Sequence, residues 1–263
     1  MTMWNDGVAI KEQVELAPGI YRMELFAPEL VAQAKPGQFV NLYCRDKSRL
    51  LPRPISICDA IVETGRLVLI YAVVGKGTEE LSAMGEGDTI RVMGPLGNGF
   101  PLEAATEAKE IFLVGGGLGM PPMLFLAKAL SDKPLKIFLG FRSQPWMGQE
   151  FEPWGEVMGS SDDGTYGCKG TVIDAMNLYL QHADLAARRV LYACGPIPMM
   201  RAIQQWQQGQ NLETWFSLEE RMGCGFGACA GCPAKLRMPD GSVIQKGVCK
   251  LGPVFPGEDV IFS

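Results

Sequence analysis

Cys224, Cys229 and Cys232 fall within nine residues of the stretch RMGCGFGACAGC, and Cys249 follows after sixteen more. C-x4-C-x2-C with a distant fourth cysteine is the plant-type spacing for a [2Fe–2S] cluster. The padding suits that chemistry. Gly223, Gly225, Gly227, Ala228, Ala230 and Gly231 let the backbone wrap closely and aim N–H groups at sulfides. Two competitors stand beside it. Structural zinc usually draws on two C-x2-C knuckles, and only one is present. A disulfide pair is disfavoured in a reducing compartment, and Cys229-Ala230-Gly231-Cys232 lacks the strand-to-helix setting of a thioredoxin-like motif. His182 is the sole histidine, which excludes Rieske centres and His-rich zinc sites.

A two-iron cluster moves single electrons and does no substrate chemistry alone, so a neighbouring cofactor is expected. Arg53-Pro54-Ile55-Ser56 offers an arginine for a pyrophosphate and a serine hydroxyl for the edge of a flavin ring. Further on, Ile70-Tyr71-Ala72-Val73-Val74 leads into Gly75-Lys76-Gly77-Thr78, whose glycines permit close backbone approach to phosphate. Tyr71 is placed to pack against the ribityl chain or the ring. The competing reading of both pieces is an ordinary barrel with a basic loop.

Gly115-Gly116-Gly117-Leu118-Gly119-Met120-Pro121 follows an apolar run and precedes a helical one. A Rossmann-like sheet sets a diphosphate on a helix N-terminus at such a place, although the spacing differs from G-x-G-x-x-G and a purely structural turn competes. Cys194-Gly195-Pro196 closes a later strand and is the second candidate for lining a nicotinamide pocket; Cys194 as a small buried filler is the alternative. Asp162-Asp163 follow EVMGSS. A carboxylate there can accept from ribose hydroxyls and would repel the extra phosphate of NADP, which favours NAD, while Arg142 argues the other way and a polar turn is the plain alternative.

These residues need elements to hold them. IYRMELFAP, QFVNLYC, PISICDA, RLVLIYAVV and DTIRVMGP read as strands of an antiparallel β-barrel, with a short helix over Thr78–Met84 capped by Thr78. From Glu110 apolar runs alternate with amphipathic segments, which describes a doubly wound parallel α/β sheet; Pro198 is expected as the first residue of a helix. Past Ser217 come glycines, then a hairpin AKLRM-PDG-SVIQKG, then Cys249. The expected organisation is multi-domain: barrel 1–102, nucleotide sheet 103–216, cysteine module 217–263. A net charge of −5 without any Lys/Arg block argues against nucleic acid. IFLVGGGLGMPPMLFLA, the one membrane-like stretch, is broken by glycines and Pro121-Pro122 and reads as strand, loop and helix. MTMWNDGVAI lacks the basic start and apolar run of a secretory signal, so a cytoplasmic location is expected. The motifs assign no role to Cys44, Cys58 or Cys168.

Barrel with RPIS and GKGT, sheet with GGGLGMPP and CGP, then the cysteines: this order resembles the ferredoxin–NADP⁺ reductase superfamily. Gly94–Phe100 (GPLGNGF), Asp162–Gly167 (DDGTYG) and Cys249–Phe255 (CKLGPVF) make it most similar to the electron-transfer subunits of dihydroorotate dehydrogenase type B. The resemblance implies FAD on Arg53, Pro54, Ile55, Ser56, Ile70, Tyr71, Ala72, Gly77 and Thr78. It implies NAD⁺ as electron acceptor, for which Gly116, Gly117, Gly119, Asp162, Cys194 and Gly195 are the candidates, and a [2Fe–2S] cluster on Cys224, Cys229, Cys232 and Cys249. It further implies an FMN-bearing partner that oxidises dihydroorotate, in a heterotetramer with two copies of each chain. Pro233 departs from the aliphatic residue more usual there, with no ligand lost. A reductase subunit of the NAD(P)H–ferredoxin type serving another redox partner has the same modules and stays open, as does a colourless zinc protein with an empty nucleotide fold.

Overall fold

The structure is a computed structural model and describes residues 3–262. Period-two alternation builds its first sheet. Strands β1 (Met3–Ala17), β2 (Ile20–Phe26), β3 (Phe39–Tyr43), β4 (Arg53–Ile61), β5 (Arg66–Ala72) and β6 (Thr89–Leu96) close an antiparallel barrel in the order β1-β2-β5-β4-β3-β6. Met23 and Leu25, Val40 and Leu42, and Leu67 and Leu69 are fully buried, each pair spaced by two as a barrel interior requires. The sequence reading misses β1. Its pairing slips between Asn5 and Val8 against β6, and between Ile10 and Glu12 and again between Glu15 and Ala17 against β2. Such irregularities break the alternation that would have announced a strand.

Two short helices join these strands, α1 (Pro28–Val31) and α2 (Lys76–Ser82). Helix α2 starts two residues earlier than the expected Thr78. Extended Gly75 precedes it, and Thr78 reaches back from the third position: its Oγ1 accepts from the N–H groups of Val74 (2.9 Å) and Gly75 (3.3 Å). The cap is therefore made from inside the first turn rather than from ahead of it.

The second sheet has the order β10-β9-β8-β7-β11-β12-β15, from β7 (Glu110–Gly116), β8 (Leu135–Phe141), β9 (Glu156–Ser161), β10 (Cys168–Lys169), β11 (Arg189–Cys194), β12 (Leu212–Ser217) and β15 (Val254–Pro256). All neighbours are parallel except β15, which runs antiparallel to β12. Its central strands are continuous apolar runs, with Ile111–Val114, Ile137–Leu139 and Val190–Ala193 fully buried, as a sheet covered on both faces demands. The connecting helices are α3 (Met120–Ala129), α4 (Val172–Leu180) and α5 (Ile197–Trp206). Pro198 is the second residue of α5, one later than expected, because Pro196 takes the position before the helix. The membrane-like stretch resolves into β7, a single 3-10 turn and α3. Among the described residues no helix is long and apolar enough to cross a membrane.

The expected hairpin is present as β13 (Pro233–Arg237) and β14 (Val243–Gly247), and α6 (Val248–Leu251) carries Cys249. The chain divides into two compact units. One gathers the barrel up to Gly99 with Glu219–Ala234 and Gln245–Pro253; the other gathers Phe100–Leu218 with Lys235–Ile244 and the chain from Val254. All four clustered cysteines belong to the barrel's unit.

Candidate functional site

Within the barrel unit the four thiols stand as two couples. The Cys224 N–H donates to Cys229 Sγ at 3.4 Å, and the Cys249 N–H donates to Cys232 Sγ at 3.4 Å. The Ala228 N–H donates to Cys224 Sγ at 3.3 Å. Among the described residues no three His, Cys, Asp or Glu side chains converge on one point as a single-ion site. Paired thiols with backbone N–H groups turned to sulfur form the donor set that a two-iron cluster takes, two thiolates to each iron. Burial opposes ionisation of Cys224, yet N–H groups of Phe226, Cys229 and Ala228 outweigh it and lower its pKa. Burial and the neighbouring Cys232 and Cys224 sulfurs raise that of Cys249. Of these two thiols, Cys249 therefore gives up its proton to a metal the less readily. No disulfide joins any of the eight cysteines.

The loop is fixed to the barrel at two points. Asn41 Nδ2, on β3, donates to the Cys224 carbonyl at 3.0 Å. Asn98 Nδ2 donates to the carbonyls of Lys250 (3.4 Å) and Leu251 (3.2 Å), and the Asn98 N–H donates to that of Gly252 (2.7 Å). The GPLGNGF segment thus holds the CKLGPVF segment, which gives both of these stretches a structural purpose.

On the same unit, Arg53 opens β4 and lies directly over Gly77: a Cβ on Gly77 would stand 1.9 Å from Arg53 Nε. Around them is a cavity of about 350 Å³, lined by Ser48, Arg49, Arg53, Gly75, Gly77 and Thr78 among others. Arg49 is neutralised by Glu80 at 2.8 Å and Asp46 at 3.4 Å. Arg53 has no carboxylate partner among the described residues and donates to the Leu51 carbonyl. A cation without a counter-charge, against a glycine in a polar hollow, fits the phosphates of a dinucleotide. Ile70, Tyr71 and Ala72 end β5. The Tyr71 ring lies 6.0 Å from that of Tyr21 and its hydroxyl donates to Gln13 Oε1 at 3.0 Å, inside the barrel, while Ile70 and Ala72 point to the other face. Thr78 spends its hydroxyl on the loop, donating in turn to the Gly75 carbonyl at 3.0 Å.

In the other unit, the chain leaves β7 toward β8 and returns to β11 on the opposite side, so the switch point of the sheet lies between β7 and β11. Ligands of such sheets bind outside the carboxyl ends of the strands at that point. The structure brings Gly116, Gly117, Gly119, Cys194 and Gly195 together there. A Cβ on Gly119 would stand 2.0 Å from the Cys194 carbonyl oxygen, and one on Gly195 would stand 3.1 Å from that of Gly116. Asp162 lies on the same edge, exposed, two strands away along the order β7-β8-β9. Its neighbour Asp163 is absorbed by the turn, its Oδ1 accepting from the Thr165 N–H (3.0 Å) and hydroxyl (2.7 Å). Arg142 and His182 are both exposed. Asn41 is the functional residue that sequence reasoning missed, since a single buried asparagine on a strand carries no motif, whereas the exposed Asn98 stood within the GPLGNGF stretch with no role of its own.

Comparison with known proteins bears on this arrangement. Residues 219–261 match the family described as the iron-sulfur cluster binding domain of dihydroorotate dehydrogenase B. The chain is 39% identical over 262 residues, 98% of each chain, to the dihydroorotate dehydrogenase B (NAD⁺) electron transfer subunit of Bacillus caldolyticus. The chain belongs to this family. The subunit of the same description from Caldanaerobacter subterraneus subsp. tengcongensis is 40% identical over 86% of this chain and 87% of its own. Among solved structures, an NADH-dependent reduced ferredoxin–NADP oxidoreductase studied for flavin-based electron bifurcation superposes with a TM-score of 0.86. It is 31% identical, covering 98% of this chain and 90% of its own. The barrel, the doubly wound sheet and the cysteine segment of this family are thus all present.

Proposed function

We propose that this chain is the electron-transfer subunit of an NAD⁺-dependent dihydroorotate dehydrogenase and acts in de novo pyrimidine biosynthesis. The observation that carries the reading is the pairing of four thiols, three on a loop fixed to barrel strand β3 and the fourth on α6, beside the strand that bears Arg53. When bound, a [2Fe–2S] cluster on Cys224, Cys229, Cys232 and Cys249 supplies one-electron transfer, and FAD supplies its conversion to the hydride that NAD⁺ accepts. The chain's own residues bind and orient. Arg53 takes the FAD pyrophosphate, Pro54, Ile55 and Ser56 with Ile70 and Ala72 border the flavin, and Gly77 leaves room for phosphate while Thr78 keeps the loop's shape. Tyr71, turned into the barrel, supports this strand from behind rather than packing on the flavin. Gly116, Gly117, Gly119, Cys194 and Gly195 receive the dinucleotide at the switch point, and Asp162 accepts from its ribose, favouring NAD over NADP. By cofactor the chain divides as 1–102, 103–216 and 217–263.

The reading extends to a catalytic partner bearing FMN, to a heterotetramer with two copies of each chain, and to the cytoplasm, where thiolate ligands stay reduced. Dihydroorotate needs no site on this chain. The test is anaerobic NAD⁺ reduction by dihydroorotate, with the chain co-purified beside its FMN-bearing partner. Activity that needs both chains supports the reading. A chain whose flavin is bleached by NADH but which accepts nothing from dihydroorotate belongs instead to a reductase of the NAD(P)H–ferredoxin type.

Phe226, inside the cysteine loop, is 44% exposed, and Leu251, two residues past Cys249, is 51% exposed. They flank a close contact, since a Cβ on Gly227 would stand 2.4 Å from the Lys250 side chain. Large apolar side chains exposed beside an electron-transfer centre suit a partner surface. Phe226→Asp is expected to weaken association with the catalytic chain by ten- to a hundredfold, roughly the range for losing an aromatic anchor. Analytical ultracentrifugation of the two chains together measures it, with iron and flavin content expected to be unchanged.

A further inference from the structure

Strand β3 has two faces. Val40 and Leu42 fill the barrel, so Phe39, Asn41 and Tyr43 point outward. Asn41 is nevertheless fully buried, because the cysteine loop covers it. A buried amide on the outside of a barrel strand is costly unless it is used. One half of it is used: Nδ2 holds the Cys224 carbonyl at 3.0 Å. The other half, Oδ1, is buried without a hydrogen-bond partner. Gly225 presses on the same amide. A Cβ there would stand 2.2 Å from Asn41 Nδ2, and Gly225 has φ +75°, a conformation that side chains other than glycine seldom adopt. The turn after the first cysteine is therefore shaped around Asn41.

The register gives this contact a direction. Asn41 pairs with Pro54, and Phe39 pairs with Ser56, across β3 and β4. Residues directly opposite on antiparallel strands share a face, with Cβ atoms about 4.5–5.5 Å apart. One side of Asn41 thus meets the carbonyl of a thiol-bearing residue and the other meets the Arg53–Ser56 strand. No other hydrogen bond of the structure ties a clustered cysteine to a barrel side chain among the described residues.

We propose that Asn41 is a positioning residue that sets the placement and electrostatic surroundings of the Cys224 ligand relative to the flavin strand. The inference rests on the cluster and flavin assignments made under the proposed function. Asn41 acts through the Cys224–Gly225 backbone that it holds. A donor N–H at this point stabilises electron density on the ligand segment, so its removal makes the cluster harder to reduce.

The test uses the full chain with its catalytic partner, reading the electron paramagnetic resonance spectrum of the reduced cluster and its midpoint potential in a dye-mediated titration. Asn41→Asp keeps the shape, removes the donor and sets a carboxylate against the Cys224 carbonyl. The expected result is a more negative cluster midpoint and an altered spectrum, with the flavin content and flavin midpoint unchanged. Asn41→Ser carries no buried charge and is too short to reach the carbonyl, and it decides the matter if the aspartate variant does not fold. A shifted midpoint or altered spectrum in a folded variant supports the inference. Unchanged spectra and midpoints at full iron content overturn it. A parent protein that holds zinc, or no iron, overturns the cluster reading itself and is seen before any variant is made.

Discussion

Cys249→Ser is expected to abolish electron transfer from a dihydroorotate-reduced partner to NAD⁺ while leaving reduction of the bound flavin by NADH intact. Cys249 and Cys232 are each only 2% exposed, and the Cys249 N–H points at Cys232 Sγ. A serine hydroxyl is a far poorer ligand for iron than a thiolate and stays protonated in this buried position. Outer-shell partners of metal ligands are already worth 10–100-fold, so loss of a ligand costs roughly a hundredfold or more in cluster retention. Iron per chain, the reduced-cluster spectrum and the two activities together make the measurement. Simultaneous loss of both activities would show instead that the cluster loop holds the barrel together. Retention of both would place the electron path elsewhere and sink the reading. Cys229, exposed at the loop's edge, serves as the comparison: serine there disturbs packing least, so a common phenotype at both positions reports ligation rather than folding.

What was legible in the sequence is what local chemistry dictates. Cysteine spacing, the apolar runs of β7, β8 and β11, and the Gly-Pro breaks each depend on residues near one another in the chain, and each survives into the structure. Strand β1 was not legible, because Gly7 and the three slips in its pairing erase the period-two signal across its fifteen residues. Strand β15 has three residues, too few for any pattern, and exists because β12 offers it an edge. Side-chain direction on β5 was likewise hidden: only the pairing of Tyr71 with Tyr21 tells which of Ile70, Tyr71 and Ala72 enters the barrel. The link between Asn41 and Cys224 spans 183 positions, and nothing local foretells it. The candidate site is therefore readable as an inventory of groups, whereas their proximity is a property of topology.

Two glycine-to-alanine substitutions separate binding from stability. At Gly77 the atoms nearest the added Cβ all belong to the far end of Arg53, with Nε at 1.9 Å and Cζ at 2.1 Å. That flexible side chain can swing away, and alanine within α2 gains up to about 1 kcal/mol in helix propensity. Gly77→Ala is thus expected to leave the melting temperature of the flavin-free protein unchanged or slightly raised. With Arg53 as the proposed phosphate ligand, displacing it would remove a charge-assisted hydrogen bond worth about 1.5–3 kcal/mol, so affinity for FAD should fall by roughly 10- to 150-fold. At Gly119 the obstacle is backbone: the Cβ would lie 2.0 Å from the Cys194 carbonyl oxygen and 2.5 Å from the Gly195 nitrogen. Neither can move without prising the loops after β7 and β11 apart. Gly119→Ala is expected to cost about 1–3 kcal/mol, lowering the melting temperature by roughly 2–12 °C, and to weaken NADH binding with FAD content preserved. Calorimetric melting, flavin per chain and NADH titration distinguish the two proteins. If Gly77→Ala kept its flavin, Arg53 would not be the phosphate ligand. If Gly119→Ala melted normally yet still bound NADH, the contact between the two carboxyl-edge loops would be dispensable, and the dinucleotide would have to be sought away from the switch point.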